Sequence, residues 1–452
     1  MAKPLKNEGV TPMNEYANSL KEKLTSLIRE MSVAPAPYVK NPEKDFTRKK
    51  KLPFETVMQL LISMGGNSLY KELLESQGYD VNTATSSAFV QQRNKILPSA
   101  MAYLFQEFTQ SYTDLKNYRG YRLLAIDGSD LHFATDPADT ETYFQSQPEA
   151  RGYNLLHLNA TYDLCNRLYV DAIVQPRRLS NERKALGDMV DRSCIEGKTI
   201  VIADRGYESY NNFAHIERKG WSYVIRVKDL ASSGILSGLR LPDSGSFDQE
   251  VHLVLTKKQT KEVKAHPEMY KFVPSKSTFD FLDLKEHLYY PISFRVVRFV
   301  LPDGAYETVI TNLSDADFPP DELRSIYNMR WGIETSFRAL KYTVGLTHFH
   351  AKRRESVIQE IFARMIMYNF AEMMTSHVVI SQKAKQYHYQ VNFTVAVHVC
   401  RHFLRSRDDD PPPDVEALIR KNVLPIRPIR PGQQNTRKIR YKSSVSFVYR
   451  VA

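Results

Sequence analysis

Apolar residues in the first quarter of the chain recur at intervals of three and four, the period of an amphipathic helix. The pattern predicts helices over 54–64, 69–74, 88–96 and 100–108. Breaks fall at Gly65-Gly66 and at Pro98, because glycine and proline interrupt helices. Residues 1–115 are therefore predicted to form a helical N-terminal domain.

From about residue 121 the pattern changes to short continuous apolar runs, which are typical of buried strands. These runs cover 123–126, 155–160, 168–174, 199–203 and 223–227, with helical patterns between them at 181–191 and 210–219. Strands that alternate with helices predict an α/β sheet. Residues 231–314 contain strand-like runs at 251–255, 294–301 and 306–310, with a turn at Pro302-Asp303-Gly304, and predict a β-rich insertion. Helical periodicity resumes at 321.

The predicted fold class is thus α/β, with a helical N-terminal domain, a core interrupted by a β insertion, and a basic C-terminal region. The boundaries that we predict are 1–115 for the N-terminal domain, 116–230 and 315–380 for the two parts of the core, 231–314 for the insertion, and 381–452 for the C-terminal region. A surface loop is expected where three aspartates precede Pro411-Pro412-Pro413.

The net charge of the chain predicts what kind of molecule the protein binds. The chain has 62 Lys and Arg against 51 Asp and Glu, a net charge of +11. Residues 1–52 carry 11 basic and 6 acidic side chains, including Lys49, Lys50 and Lys51, and residues 421–452 carry eight basic and no acidic side chains. A basic balance of this kind predicts a polyanionic partner, either nucleic acid or an anionic membrane surface, and a compact helical basic domain is typical of DNA-binding proteins. The alternatives are a solvated helical face at the N-terminus and a merely soluble tail.

The remaining composition predicts an intracellular protein without membrane contact. The segment Met1–Glu8 has no apolar stretch of the kind that a secretory signal requires. The apolar segment 361–374 is interrupted by Arg364, Asn369 and Glu372, so it predicts a core helix and no membrane span. Three cysteines in 452 residues form no disulfide framework and no zinc motif, and we expect buried thiols.

Two aspartates directly follow apolar runs. Asp127 follows 123–126, and Asp204 follows 199–203. We expect both at strand ends, because a buried strand cannot easily hold an ionised carboxylate, whereas its end faces a crevice where cations can compensate the charge. The alternative for each is an ordinary turn. Asp130 and Asp136 lie close after Asp127, but neither abuts the strand.

A third carboxylate, Glu334, lies in the helical stretch 321–340. At 100° per residue, Tyr327, Arg330, Glu334 and Lys341 share one helix face. A surface ladder of i,i+4 charge pairs is the alternative, but it would not require the aromatic residue. Three carboxylates suit two divalent cations that act on a phosphodiester, and hard oxygen ligands favour Mg²⁺, with Mn²⁺ able to substitute. Tyr327, Arg330 and Lys341 would then position phosphates.

The spacing Tyr327-x2-Arg330-x3-Glu334-x6-Lys341, with Asp127 and Asp204 upstream, resembles the Asp-Asp-Glu (DDE) transposases of bacterial insertion sequences. It is most similar to the insertion-sequence-four family, whose hallmark is this Tyr-Arg-Glu-Lys signature. The resemblance covers most of the chain and includes the segments 87–93, 181–183, 349–353, 359–364 and 425–440.

The resemblance implies a ribonuclease-H-like catalytic core that is interrupted between Asp204 and Glu334 by the β insertion. It implies that Asp127, Asp204 and Glu334 bind two divalent metal ions, Mg²⁺ or Mn²⁺. The implied reaction is hydrolysis at the terminal inverted repeats, followed by attack of the freed 3′ hydroxyl on target DNA. It further implies double-stranded DNA as partner, a homodimer in the synaptic complex, and a cytoplasmic, nucleoid-associated location in a bacterium.

Further residues are predicted to contact DNA, as a group near the signature or in basic segments: Tyr327, Arg330, Lys341, Trp331, Arg205, Lys49, Lys50, Lys51, His350, Lys352 and Arg353. For His350, packing beside the site is an alternative, and for Arg205 the alternative is a carboxylate partner. A His348/His350 metal site is disfavoured because no third ligand is near in the sequence.

A hairpin intermediate stays open. Hairpin-forming relatives use a tryptophan of the insertion to hold a flipped base, but the two tryptophans here are Trp221, at a predicted core strand, and Trp331, within the signature. Aromatic residues of the insertion that could stack on a base instead are Tyr270, Phe272, Tyr289, Tyr290 and Tyr306. Two other functions also stay open: a nuclease of the same fold without strand transfer, and a DNA-binding regulator without catalysis.

Overall fold

The structure is a computed structural model that describes residues 13–48, 50–145, 147, 149, 151–230, 234–301, 304–378, 388–406 and 413–426. Several predicted features lie outside these residues: Lys49, the Pro302-Asp303 part of the predicted turn, most of the Asp408–Pro413 loop, and the basic tail beyond 426.

Five helices come first in the described chain, and strands and helices follow in mixed order. The helices are α1 (Met13–Val33), α2 (Phe54–Ser63), α3 (Leu69–Ser76), α4 (Ser86–Arg93), α5 (Pro98–Gln110), α6 (Glu182–Arg192), α7 (Tyr210–Arg218), α8 (Lys261–Ala265), α9 (Pro320–Met329), α10 (Trp331–Arg338), α11 (Arg354–Ser376), α12 (Phe393–Arg405) and α13 (Val415–Lys421). The strands are β1 (Arg122–Phe133), β2 (Tyr143–Phe144), β3 (Tyr153–Asp163), β4 (Leu168–Pro176), β5 (Thr199–Ala203), β6 (Ser222–Val227), β7 (Phe247–Thr256), β8 (Tyr270–Phe272), β9 (Tyr289–Val300), β10 (Tyr306–Thr311), β11 (Tyr389–Val391) and β12 (Val423–Pro425).

Ten of the described strands form one mixed sheet in the order β2-β3-β1-β5-β6-β10-β9-β7-β8, with β4 also paired to β3. Strands β1, β5 and β6 are parallel, and β3 and β4 add to the β1 side as an antiparallel meander. The parallel connections run through α6 and α7, as parallel strands require a crossover. The predicted α/β class is therefore confirmed.

The β-rich segment differs from the prediction in how it is placed. We expected an insertion in the α/β unit, and its strands are present, together with one short helix, α8. Strand β10, however, pairs antiparallel with β6, so β10, β9, β7 and β8 continue the central sheet. An edge strand such as β6 would otherwise expose unpaired backbone groups, and β10 satisfies them.

Side chains on β5 alternate between the two faces of the sheet. Val201 and Ala203 join a core with α6 and α7, whereas Ile200 and Ile202 join a core with α9 on the opposite face. Every residue of β5 is buried. This two-sided burial explains why the strand reads as a continuous apolar run in the sequence.

Helices α2 to α5 appear where the periodicity predicts them, whereas α1 was not among the predicted helices. All five share a hydrophobic core with α11, α12 and strands β1, β3 and β4. An ion pair of Arg93 on α4 with Glu360 on α11, at 2.8 Å, lies inside this core with both side chains 2% exposed. Residues on both sides of the predicted boundary at residue 115 therefore pack into one hydrophobic core.

Helix α11 confirms the core helix predicted for 361–374, because its residues from Gln359 to Thr375 are buried. No helix among the described residues is both long and apolar enough to cross a membrane. The thiols differ in part from the expectation: Cys400 is buried and Cys165 half-buried, but Cys194 is exposed.

Candidate active site

Asp127 lies in the middle of β1, which corrects the prediction that it ends a strand. β1 continues to Phe133 because its antiparallel partner β3 remains paired over that whole length. The parallel neighbour β5 stops opposite Ile126, so Asp127 is the first β1 residue without a partner on that side. Alternation places its side chain on the face of Leu123 and Ala125, the face that α9 and α10 cover.

Asp204 follows β5 directly, as predicted. Its carboxylate accepts a hydrogen bond from the backbone N–H of Arg205 at 2.7 Å, which begins a short 3-10 turn at 205–207. The carboxylate lies 3.5 Å from the Tyr327 hydroxyl of α9 and 3.6 Å from the guanidinium of Arg226 on β6. Asp204 and Asp127 therefore open into the same crevice, at the point where β1 and β5 diverge.

The signature helix supplies the third carboxylate. α9 begins at Pro320, and α10 continues after a turn at Arg330, whose backbone remains helical. Arg330 donates to Glu334 at 2.8 Å, and its other terminal nitrogen lies 3.9 Å from Asp127. The predicted helix face thus brings Arg330 between Glu334 and Asp127.

Arg330 is the cation that Asp127 and Glu334 share. Its side chain is 4% exposed and borders the rings of Tyr327 and Trp331. Burial raises the pKa of Asp127 to about 6; Glu334 and Asp204 add to the rise, while the Gly128 N–H and Arg330 oppose it. The carboxylates repel one another in a partly desolvated place, so the site favours additional positive charge.

Lys341 lies on the same helical segment but reaches further along β1. It belongs to a π-helical turn over Ala339–Thr343, and its ammonium donates to the carbonyl oxygen of Asp130 at 3.2 Å. Single π-turns inside helices occur often at functional sites. The ammonium therefore borders the crevice three residues beyond Asp127.

Two charged residues near the site were not predicted from the sequence. Arg226 lies within strand β6, and Glu307 lies on the neighbouring strand β10, two residues before Val309, the partner of Arg226 in the strand pairing. The two charged side chains are 3.3 Å apart. Glu307 is 10% exposed in its side chain, and burial raises its pKa, while Arg226 opposes the rise. The sequence did contain one indication of this pair: Arg226 lies inside the apolar run 223–227, and a charged side chain in a buried strand requires a partner of opposite charge.

The other predicted DNA contacts fall into two groups. Exposed residues are Trp331, which is 55% exposed, and a basic set consisting of Arg205, Lys50, Lys51, Lys352 and Arg353. The imidazole of His350, by contrast, is 2% exposed and contacts the Asn67 carbonyl at 3.0 Å and Glu360 at 3.6 Å. The structure therefore places His350 in the packing alternative.

The insertion aromatics are also distributed unevenly. Tyr306 lies under the guanidinium of Arg298 at 3.8 Å, and Tyr289 is 44% exposed. Tyr290 packs against the core beneath the α6–α7 face. Trp221 is 5% exposed next to β6, in agreement with its predicted core position.

The three carboxylates suit a divalent cation in two respects. Their oxygens are hard donors, and Asp127 and Glu334 already lie beside one positive charge, that of Arg330. Within the described ranges, no group of three or more His, Cys, Asp or Glu side chains is arranged to hold a metal ion.

The transposase DDE domain family matches residues 118–370, more than half of the chain, and its range contains all of the site residues described above except the N-terminal lysines. No curated protein sequence matches the chain. Among solved structures, the chain resembles a cryo-EM structure of the piggyBac transposase synaptic complex with hairpin DNA. That likeness has a TM-score of 0.47 and 10% identity and covers 91% of this chain and 82% of the other. By the family match, the chain belongs to the DDE transposases, enzymes that cleave DNA and transfer its strands in a metal-dependent reaction.

Proposed function

We propose that the chain is the transposase of a bacterial insertion sequence of the insertion-sequence-four type. In this proposal it binds the terminal inverted repeats, hydrolyses the DNA at the transposon ends, and joins the freed 3′ hydroxyls to target DNA. The observation that carries the proposal is the convergence of Asp127 and Glu334 on the buried guanidinium of Arg330, with Asp204 beside Tyr327.

Asp127, Asp204 and Glu334 are the residues that would hold two divalent metal ions, with Mg²⁺ as the natural metal. When bound, such ions activate an attacking oxygen and stabilise the leaving oxygen of a phosphodiester. Carboxylates are hard oxygen donors, which match Mg²⁺ and Mn²⁺ better than zinc.

The remaining side chains of the crevice orient the DNA. Arg330 offers a planar fork that suits a phosphate. Lys341 offers a point charge at Asp130, three residues further along β1 than Asp127. The exposed ring of Trp331 lies next to Arg330 and can stack on a base. Arg205, Lys352 and Arg353 add exposed positive charge along the backbone of the duplex.

Domain roles follow the boundaries that we predict. Residues 1–115, with Lys50 and Lys51 exposed, would bind the terminal repeats. Residues 116–230 and 315–380 would form the ribonuclease-H-like core around the crevice, and 231–314 the insertion. Cutting two ends in one complex favours a homodimer on DNA.

The test is cleavage of a labelled duplex that carries the terminal repeats from either side of the coding region, in Mg²⁺ or Mn²⁺. We expect wild type to cut at the repeat boundary, and Asp127→Asn and Glu334→Gln to lose cleavage while they retain repeat binding. Asp136→Asn is the matched control, because Asp136 is an exposed turn residue on the same segment and should cut normally.

A second assay separates this proposal from its alternatives. Incubation of pre-cut repeat ends with a supercoiled plasmid should yield joined products, which a nuclease without strand transfer would not make. Repeat-specific binding with no cut in either metal would favour the regulator, and an absence of repeat-specific binding would contradict the proposal as a whole.

A further inference from the structure

A second cluster of charged side chains lies behind the proposed metal site, on the α6 face of the sheet, opposite the face that carries the Asp127 side chain. At its centre is His157 on β3, whose side chain is 4% exposed. Its Nδ1 is 2.6 Å from Asp130 of β1, and its Nε2 is 3.2 Å from Glu182, the first residue of α6. Arg177 makes a further contact with Asp130 at 2.9 Å. We call Asp130, His157 and Glu182 the histidine clamp.

The electrostatics of the clamp favour the ion-paired state. Burial opposes a charged His157, but the contacts with Asp130 and Glu182 outweigh it and raise the pKa of the imidazole. The contacts with His157 also lower the pKa of the carboxyl groups of Asp130 and Glu182. For Asp130 they outweigh burial, which by itself would raise the pKa. The imidazole therefore joins β1 to α6 through charge at both of its nitrogens.

The backbone around the clamp is fitted to it. A Cβ on Gly128, the residue after Asp127, would lie 2.6 Å from Nε2 of His157. A Cβ on Gly206, two residues after Asp204, would lie 2.7 Å from a carboxylate oxygen of Glu182. Both distances are shorter than a Cβ carbon can approach another heavy atom, so the clamp leaves no room for a side chain at Gly128 or Gly206, close to two of the three proposed metal ligands.

The third ligand segment is tied to the same cluster. Lys341, on the turn that follows Glu334 and α10, donates to the carbonyl oxygen of Asp130. The clamp and its immediate contacts thus connect the three separate segments that carry Asp127, Asp204 and Glu334. These segments come from β1, from the turn after β5 and from α10, and they are far apart in the sequence.

We propose that His157 is a positioning residue of the active site, which fixes the spacing of the carboxylate segments by holding Asp130 and Glu182 together. The inference rests on the proposed function, because it assigns His157 to the geometry of that metal site. Partners that orient metal ligands change metal affinity or activity about 10- to 100-fold when they are removed. A histidine that only stabilised the fold would change neither at matched stability.

The chain offers a matched control in His215 on α7. Its Nδ1 is 2.8 Å from Asp191 and its Nε2 2.9 Å from Asp280, and its side chain is 9% exposed. It also lies between two carboxylates and has similar burial, but it joins α6 and α7 to the loop at Asp280. Loss of His215 should therefore cost stability without disturbing the carboxylate spacing.

The experiment compares His157→Phe with His215→Phe in the full-length protein. Mn²⁺ affinity is read from the EPR signal of the unbound ion, and repeat cleavage from the labelled duplex, with melting temperatures recorded for both. We expect both variants to melt lower than wild type, but His157→Phe alone to weaken Mn²⁺ binding about 10- to 100-fold. Repeat binding in Ca²⁺ should stay unchanged.

Two conservative variants, His157→Asn and His157→Gln, allow the same comparison if His157→Phe does not fold. The amide of His157→Asn lies near the Nδ1 position and can still bond Asp130, and that of His157→Gln reaches towards Glu182. Each should give a Mn²⁺ affinity between those of wild type and His157→Phe.

Equal Mn²⁺ affinity in the His157 and His215 variants would overturn the inference, and so would the lack of any Mn²⁺ binding by wild type. Wild type that binds Mn²⁺ but leaves the repeats uncut would count against the proposed function alone, since the affinities of the variants still decide the role of His157.

Discussion

The buried ion pair between Arg93 of α4 and Glu360 of α11 contributes to the free energy of unfolding by an amount that can be measured. In Glu360→Gln the side chain keeps its size but loses its charge. Arg93 then remains buried without a carboxylate partner. Its charge is left with neutral acceptors: the Ser356 carbonyl at 2.7 Å, the Gln359 side chain at 3.3 Å and the amide oxygen of the new side chain. Glu360 also accepts from the backbone N–H groups of His350 and Ala351 on different oxygens, and an amide can accept only one of them.

Removal of one partner of a buried pair costs about 3–5 kcal/mol, because the other charge is left uncompensated. We expect Glu360→Gln to lower the free energy of unfolding by that amount. The assay is urea denaturation at neutral pH, since urea does not screen the charges. Glu355→Gln is the control: Glu355 lies on the same helix and pairs with Lys40 at the surface, so its loss should cost less than about 1 kcal/mol.

The pH dependence gives a second readout of the same pair. Burial alone would raise the pKa of Glu360, but the charge of Arg93 and the contacts with His350 and Arg364 outweigh it and lower the pKa. A carboxyl with a lowered pKa stabilises the fold above its unfolded value of about 4.3. The advantage of wild type over Glu360→Gln should therefore persist above pH 5 and shrink as the pH falls below 4.

Two results would refute this reasoning. One is a loss below about 1 kcal/mol in Glu360→Gln, which would mean that the pair is solvated or relaxes easily. The other is additivity in a cycle of Arg93→Met and Glu360→Met, because paired buried charges should show a coupling of about 1–3 kcal/mol.

Three further predictions concern the crevice. Gly128→Ala should lower stability by about 1–3 kcal/mol in chemical denaturation and slow cleavage, because the new methyl collides with His157, whereas Gly66→Ala, with nothing within 4 Å, should do neither. Arg226→Gln should reduce the cleavage rate about tenfold, with repeat binding kept, because Asp204 loses its cationic neighbour; an unchanged rate in single-turnover kinetics would contradict this. Saturating Mg²⁺, at 100 times its dissociation constant, should stabilise wild type by about 2.7 kcal/mol in thermal denaturation, and substitution of any of the three carboxylates should abolish that gain.

The sequence alone determined the elements that depend on local pattern. Helices α2 to α5 and the strands β5 and β6 occur where periodicity and apolar runs predict them. The placement of Asp204 after β5 also followed from the pattern, because the apolar run that forms this fully buried strand stops directly before Asp204. The shared face of Tyr327, Arg330 and Glu334 followed from the geometry of a single helix, which spacing alone fixes.

Only the tertiary structure decided which strands pair. β10 is the neighbour of β6 although about 80 residues separate the paired positions, so the insertion extends the central sheet. Asp127 lies within β1 because β3 continues to pair beyond it. Arg226, Glu307 and His157 gain their surroundings from the same long-range pairing. Sequence periodicity reports the burial of each strand face, but it contains no information on the partner strand, and the partner strand determines which charges meet.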